Sequence, residues 1–179
     1  ATYTFPAQFM LAAAMNPCPC GYLGSRRKDM VCSCSWAHIH RYRKKISGPL
    51  LDRIDLQVEV PLPESLPASG KKDGMDSAYM RQAVMKARNI QQRRYLRDKI
   101  LFNSELSGIR LQKACPMDEK ARNLLDRMFH EWGLSLRTYD RILKISRTIA
   151  DLEESEEIKE IHLAEALEYR SLDRRGNGF

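Results

Sequence analysis

A chain of 179 residues can form one domain with a proper core, or two small ones. An apolar fraction of 43% with ordinary Gly and Pro content excludes a low-complexity or fibrous chain, and no apolar run reaches the ~18 residues of a membrane span. The net charge of +7 and a pI of 9.3 favour an anionic partner, nucleic acid or nucleotide, over a cationic one.

The start, ATYTFPAQF, has neither a charged leader region nor a long apolar one, and no initiator Met. It reads as a strand, so we expect a piece of a longer protein. Tyr3 to Met15 is β-forming up to Pro6 and then continuously apolar from Phe9, as in a strand buried on both faces of a parallel sheet. Its alanines would equally suit a short buried helix. The Asn16-Pro17 step ends it either way.

Residues 17–34 form a Cys/Gly/Pro loop. Ser35 caps an expected helix from about Trp36 to Ile46, which Ser47-Gly48-Pro49 stops. Leu50 to Ile54 reads as a turn or short helix. Asp55 to Val60 alternates, with Leu56, Val58 and Val60 on one side and Gln57 and Glu59 on the other, which predicts a strand. Residues 61–76 are a linker by composition, and a domain boundary is expected at about residue 65, giving domains 1–64 and 65–179.

After the boundary everything reads as helix. Ser77 to Arg97 forms a long basic helix, and Leu106 to Gln112 a short element. The helix opened by Cys115-Pro116 carries Ala121, Leu124, Leu125, Met128, Phe129 and Trp132 as a core stripe, and Gly133 ends it. Ser135 caps the next helix, with Tyr139, Ile142, Leu143, Ser146, Ile149 and Ala150 inward. A last helix spans about Lys159 to Arg170. The whole predicts an α/β remnant followed by a bundle of about four helices, mostly α.

Five constellations bear on chemistry. Cys18-x-Cys20 and Cys32-x-Cys34 supply four thiolates on two short loops, a sufficient tetrahedral set for a structural zinc. The bland alternative is a reduced Cys-rich loop; a disulfide within either pair would be strained. With no secretion signal visible, a reducing, cytoplasmic compartment is the default expectation, so clustered Cys read as metal ligands before disulfides. His38 and His40 read as surface residues. Asn16 stands where a parallel sheet would present ligand-binding groups, or is simply a turn residue. Arg53 lies between Asp52 and Asp55, as a local ion pair or as an arginine reaching a neighbour's phosphate. Arg137 opposes the dipole in a helix's first turn, which makes sense if an anion binds there. Lys86, Arg93 and Arg97 share a helix stripe, most simply a solvated face and otherwise a contact for nucleic acid or a partner subunit, and the acidic run from Asp151 to Glu168 reads as a solvated face or loop. No phosphate-cradling G-x-x-x-x-G-K-[ST] is present.

Together AAAMNPCPCGYLG, CSC, RYRKKISGPLLDRIDLQVEVP, SLRTYDRILKISRTIADLE and HLAEALEYR resemble the C-terminal half of the magnesium-chelatase-related AAA+ ATPases, in their ComM/YifB branch. The resemblance covers nearly the whole chain. It implies an AAA+ core remnant and a helical lid, with Walker motifs and a Lon-protease-like domain in the half not included here. It implies that Asn16 is sensor 1, positioning the attacking water. Arg53 would be an arginine finger acting in trans across a ring interface, and Arg137 sensor 2 of the lid. The implied cofactors are ATP with Mg, the implied assembly a hexameric ring, and the implied partner DNA, through branch migration during natural transformation. The four Cys belong to the ComM-like branch, which argues against metal insertion. A chelatase-like remodelling ATPase and a zinc-stabilised, non-enzymatic binding module are the alternatives. These residues alone are expected neither to bind nor to hydrolyse ATP appreciably.

Overall fold

The computed structural model describes residues 2–5, 7, 9–25, 27, 29–61, 75–98 and 100–170. The expected linker and the boundary at residue 65 fall almost wholly outside these. The described residues fall into two units. One comprises the described residues up to Lys45 together with Pro61, and the other combines residues 46–60 with the helices from Ser77 onward.

The first unit holds helix α1 (Trp36–Arg43). It ends three residues before the expected Ile46, in a turn. Ser35 caps it as expected, its hydroxyl accepting the His38 N–H at 3.3 Å. Ile39 is its buried position, and Arg43 Nε donates to the Pro17 carbonyl at 3.2 Å, fastening the helix to the start of the Cys loop.

The second unit is helical. Helix α2 (Gly48–Leu51) is one turn capped by Ser47; α3 spans Ser77–Arg94, α4 Gly108–Ala114, α5 Glu119–Trp132, α6 Leu136–Leu152 and α7 Glu160–Glu168. A single 3-10 turn, Asn103–Glu105, precedes α4. Helix α6 is the spine, packed by α3, α4 and α7, while α5 lies on α7. The α5 stripe faces inward: Ala121 and Leu125 are buried, with Leu124, Met128, Phe129 and Trp132 packed against the core. Gly133 closes α5 at φ 58° and ψ 43°, a left-handed cap that glycine adopts without a Cβ penalty.

The expected strands are not formed. Among the described residues no strand exists, and the one bridge joins Met117 to Ile158. The apolar run meant to be buried on both faces is open instead, with Phe9 76% and Met10 92% exposed. A strand needs a ladder partner for its N–H and C=O groups, and the described residues offer this run none. At 55–60 the burial does not alternate with the sequence, and Gln57 alone of the six residues is buried while Glu59 is exposed. Leu56, Val58 and Val60 face outward, whereas Gln57 is buried and its backbone N–H donates to the Tyr169 carbonyl at 2.9 Å. That segment is held by the end of α7 rather than by a sheet.

The helical unit encloses a polar network. Asp151, fully buried on α6, accepts from Arg94 Nη1 at 2.9 Å, Asn103 Nδ2 at 2.8 Å and Arg147 Nε at 3.1 Å, and pairs again with Arg94 Nη2. Arg147 is itself fully buried and spends its other nitrogens on the carbonyls of Ser155 and Glu156. Asn103 also accepts from the Tyr95 hydroxyl at 2.7 Å, and its N–H donates to Gln91 Oε1 at 3.1 Å. Every polar group named here finds a partner, as burial demands.

Candidate functional site

The loop before α1 gathers four sulfurs. Gly21 takes φ +84° and Gly24 φ +81°, left-handed conformations that reverse the chain after Cys20. The Gly21 N–H closes a turn onto the Cys18 carbonyl at 3.0 Å, and the Leu23 N–H points at Cys18 Sγ at 3.4 Å. The sulfurs of Cys18, Cys20, Cys32 and Cys34 all lie within 4.8 Å of one another. Cys18 Sγ is 3.3 Å from Cys20 Sγ and 3.7 Å from Cys32 Sγ, and Cys20 Sγ is 3.6 Å from Cys32 Sγ.

Those spacings test what the cluster can hold. Four sulfurs about 2.3 Å from a central zinc, arranged tetrahedrally, would stand about 3.8 Å apart. The donor set and its dimensions therefore fit one small tetrahedral ion. Four soft thiolates favour zinc or an iron–sulfur centre over a hard cation such as Mg. The protonation pattern agrees. The Tyr22 backbone N–H draws the Cys20 thiol down to about 6. The Cys34 backbone N–H also favours a Cys32 thiolate, but desolvation and the neighbouring thiols outweigh it and push Cys32 up to about 12. One thiolate forms readily and the next is opposed, until a cation compensates both. All four positions come from protein, which leaves no open site for catalysis.

Asn16 lies just ahead of this loop, exposed, on extended chain rather than at the end of a buried strand. A Cβ on Gly21 would stand 3.7 Å from Asn16 Nδ2. Asn16 is thus a neighbour of the Cys loop. His38 and His40 are exposed on α1, as expected of surface residues.

Arg53 and Arg137 both lie in the second unit. Arg53 is exposed in the turn after α2, with Nη1 donating to the Pro49 carbonyl at 2.7 Å. Its acidic neighbours do not pair with it. Asp52 Oδ1 accepts from the Thr138 hydroxyl at 2.9 Å, and Oδ2 lies 3.4 Å from Arg137 Nη1. Asp55 Oδ1 lies 3.2 Å from Arg141 Nη1. Arg170, fully buried, donates to the Ile54 carbonyl. At the start of α6 a carboxylate of the chain itself, Asp52, thus stands beside Arg137. Asp52 satisfies Arg137 and the first turn of the helix at once. Sequence reasoning missed Thr138, Arg141 and Arg170; nothing local marks them, because their partners lie 86 or more residues away in the chain.

Lys86, one of the expected basic stripe, pairs with Glu154 at 3.2 Å, both exposed. No helix of the described residues is long and apolar enough to cross a membrane.

Comparison with known proteins adds a second line. The family model described as "Magnesium chelatase, subunit ChlI C-terminal" matches residues 74–170, and the one described as "Magnesium chelatase, subunit ChlI" matches residues 1–66. The competence protein ComM of Haemophilus influenzae is 44% identical over 173 residues, covering 95% of this chain and 32% of that protein. An uncharacterized protein YifB of Salmonella typhimurium is 41% identical over 97% of this chain and 33% of its own length. The YifB of Escherichia coli is 38% identical over the same shares. The chain thus spans about a third of the length of these relatives.

Proposed function

The chain belongs to the magnesium chelatase ChlI-related family, and from that premise we propose that it forms the arginine-finger and lid portion of a ring-forming AAA+ ATPase that moves DNA. The observation that carries this reading is the joint between the Arg53 turn and the first turn of α6. Arg53 projects from a turn held on three sides, by Thr138 and Arg137 through Asp52, by Arg141 through Asp55 and by Arg170 through the Ile54 carbonyl. An exposed arginine on a braced turn suits a group that must reach a neighbouring subunit's phosphate. Arg137, at the start of a helix, suits contact with the chain's own nucleotide, whose phosphate would compete with Asp52. Asn16 serves as the water-positioning residue of sensor 1. The boundary near residue 65 separates the core portion from the lid.

ATP and Mg belong to the assembled site. Its phosphate-cradling loop would come from outside these residues. Zinc, held by Cys18, Cys20, Cys32 and Cys34, has a structural part: it fixes the loop between Asn16 and α1. A hexameric ring and a cytoplasmic setting complete the reading. The ComM relative, named a competence protein, supports a DNA partner over a chelatase role.

A chimera tests this, with the matching third of the Haemophilus influenzae relative replaced by this chain. ATP hydrolysis that rises with DNA is expected. Arg53→Ala should leave nucleotide binding near its starting value while hydrolysis falls by 10³-fold or more, on the order of an arginine finger's contribution. Unchanged hydrolysis would remove Arg53 from the mechanism.

A further inference from the structure

Helix α3 has no acidic residue. Its 18 residues include Arg81, Lys86, Arg88, Arg93 and Arg94, but neither Asp nor Glu. Two of these cations are engaged, Arg94 with the buried Asp151 and Lys86 with Glu154 at 3.2 Å. Among the described residues no carboxylate pairs with Arg81, Arg88 or Arg93. Arg88 lies over the Phe102 ring, 5.3 Å from its centroid.

The helix sorts its residues by face. At about 100° per residue, Ala83, Ala87, Ile90, Gln91 and Arg94 share one side, and these are its buried and half-buried positions. The opposite side is an exposed arc of about 140°. Arg88 and Arg81, about 20° apart, mark one margin of the arc and Arg93 marks the other. Gln82, Met85, Asn89 and Gln92 lie between, all exposed. Three of these positions are telling. Gln82 stands four residues before Lys86, Asn89 four before Arg93, and Gln92 four after Arg88. A carboxylate at any of them would form an ion pair along the helix. Each holds a neutral amide instead, so the arc keeps its positive charge.

We infer that this outward face of α3 is a contact surface for the major groove of duplex DNA. A helix with its side chains is about 10–12 Å across, and the groove is about 12 Å wide. From Arg81 to Arg93 the helix rises about 18 Å, or about five base pairs. Cations on the two margins meet the phosphates that border the groove, and the amides between them donate and accept toward base edges and phosphates. The arc has no aromatic ring on which the bases of a single strand could stack. Duplex RNA has a deep, narrow major groove that does not admit the helix. The surface rests on the DNA partner of the proposed function. Its assay needs no ATP hydrolysis, so the two readings fail separately.

The test is titration of a fluorescein-labelled duplex of about twenty base pairs with the chain, followed by anisotropy over a range of salt. Arg81→Ala/Arg88→Ala/Arg93→Ala should weaken binding about a hundredfold or more at about 0.1 M salt, and reduce the slope of log K against log salt by about 2.7. Lys113→Ala/Lys120→Ala/Arg127→Ala removes the same charge from exposed positions of α4 and α5, and should change both far less. A second pair of variants keeps the fold intact. Gln82→Glu/Asn89→Asp supplies the missing ion pairs with Lys86 and Arg93, so its urea midpoint should hold or rise. Its affinity for duplex should nonetheless fall about tenfold or more, one lost phosphate contact being worth nearly that much. Gln112→Glu/Asn123→Asp adds the same charge at exposed positions of α4 and α5 and should keep most of the binding. Losses in the α3 variants no larger than in their matched controls would overturn the inference. So would equal affinity for a single-stranded oligo-dT of the same length. Displacement by polyglutamate as effective as by unlabelled duplex would also overturn it, and would assign the face to an acidic protein.

Discussion

Replacing Asp151 with alanine should destabilise the helical unit by about 3–5 kcal/mol, the range for removing one partner of a buried ion pair. The magnitude follows from what is left behind. Arg147 has no exposed side-chain surface, so water cannot take over the Asp151 carboxylate, and only the Ser155 and Glu156 carbonyls remain to it. Arg94 keeps 22% of its side-chain surface exposed and can turn partly toward solvent. Asn103 Nδ2 loses one of its two acceptors and retains Thr148 Oγ1 at 3.0 Å. The order of damage should therefore be Asp151→Ala, then Arg147→Met, then Arg94→Met. A domain of ordinary stability has about 5–15 kcal/mol in total, so the first variant should lie close to unfolding. Urea titration followed by circular dichroism is the assay. With a slope of about 2 kcal/mol per molar, the midpoint should fall by about 2 M. A loss below about 1 kcal/mol for Asp151→Ala would show that the network is not buried as described, and so would an Arg94 variant more damaging than the Arg147 one.

Two other perturbations have defined outcomes. Purified under reducing conditions, the chain should carry one zinc per molecule by elemental analysis, and Cys32→Ser should lose most of it; fewer than about half an ion per unsubstituted chain would remove the tetrahedral site. Burial pushes the Cys115 thiol up to about 12, from an ordinary 9.0. Its folded form thus holds a proton that the unfolded form releases first. Stability is unaffected below pH 9 and declines from there toward pH 12, by at most about 1.4 kcal/mol per pH unit from this group. Cys115→Ala should flatten the decline relative to the unsubstituted chain, after allowance for the raised Tyr95 and Tyr139 hydroxyls that remain in both. Identical pH profiles for the two proteins would refute the burial account.

The helical unit was largely legible because its signals are local. The α5 stripe from Ala121 to Trp132 and the Ser135 cap each draw on residues within a few turns, and the helices appear within a few residues of their expected limits. The sulfur cluster was legible for the same reason: Cys18, Cys20, Cys32 and Cys34 are near in sequence, and glycines stand where the chain must reverse. What misled were patterns whose meaning depends on a distant partner. Apolar residues from Phe9 to Met15 signal a buried strand only if other strands flank them. The alternation at 55–60 says that two faces differ without saying which is covered. Arg147 and Asp151, four apart on a helix, have the spacing of an ordinary surface ion pair, and only the packing of α3 and the Asn103 turn over them makes them a buried centre.

The Arg53 turn shows the same limit where it bears most on function. Asp52, Arg53 and Asp55 are adjacent in sequence, and adjacency alone suggests that the arginine is neutralised at home. It is not, because both carboxylates are taken by α6, Asp52 by Thr138 and Arg137, and Asp55 by Arg141. Each of these surface pairs contributes little to stability singly. Together with the buried Arg170 on the Ile54 carbonyl they fix a short segment at four points, and the effect is positional rather than energetic. The acidic residues draw the turn onto α6 and thereby leave Arg53 with a backbone carbonyl as its hydrogen-bond partner and its guanidinium exposed. A charged group held in place without a carboxylate on it is what a residue needs if it is to meet a phosphate from another subunit.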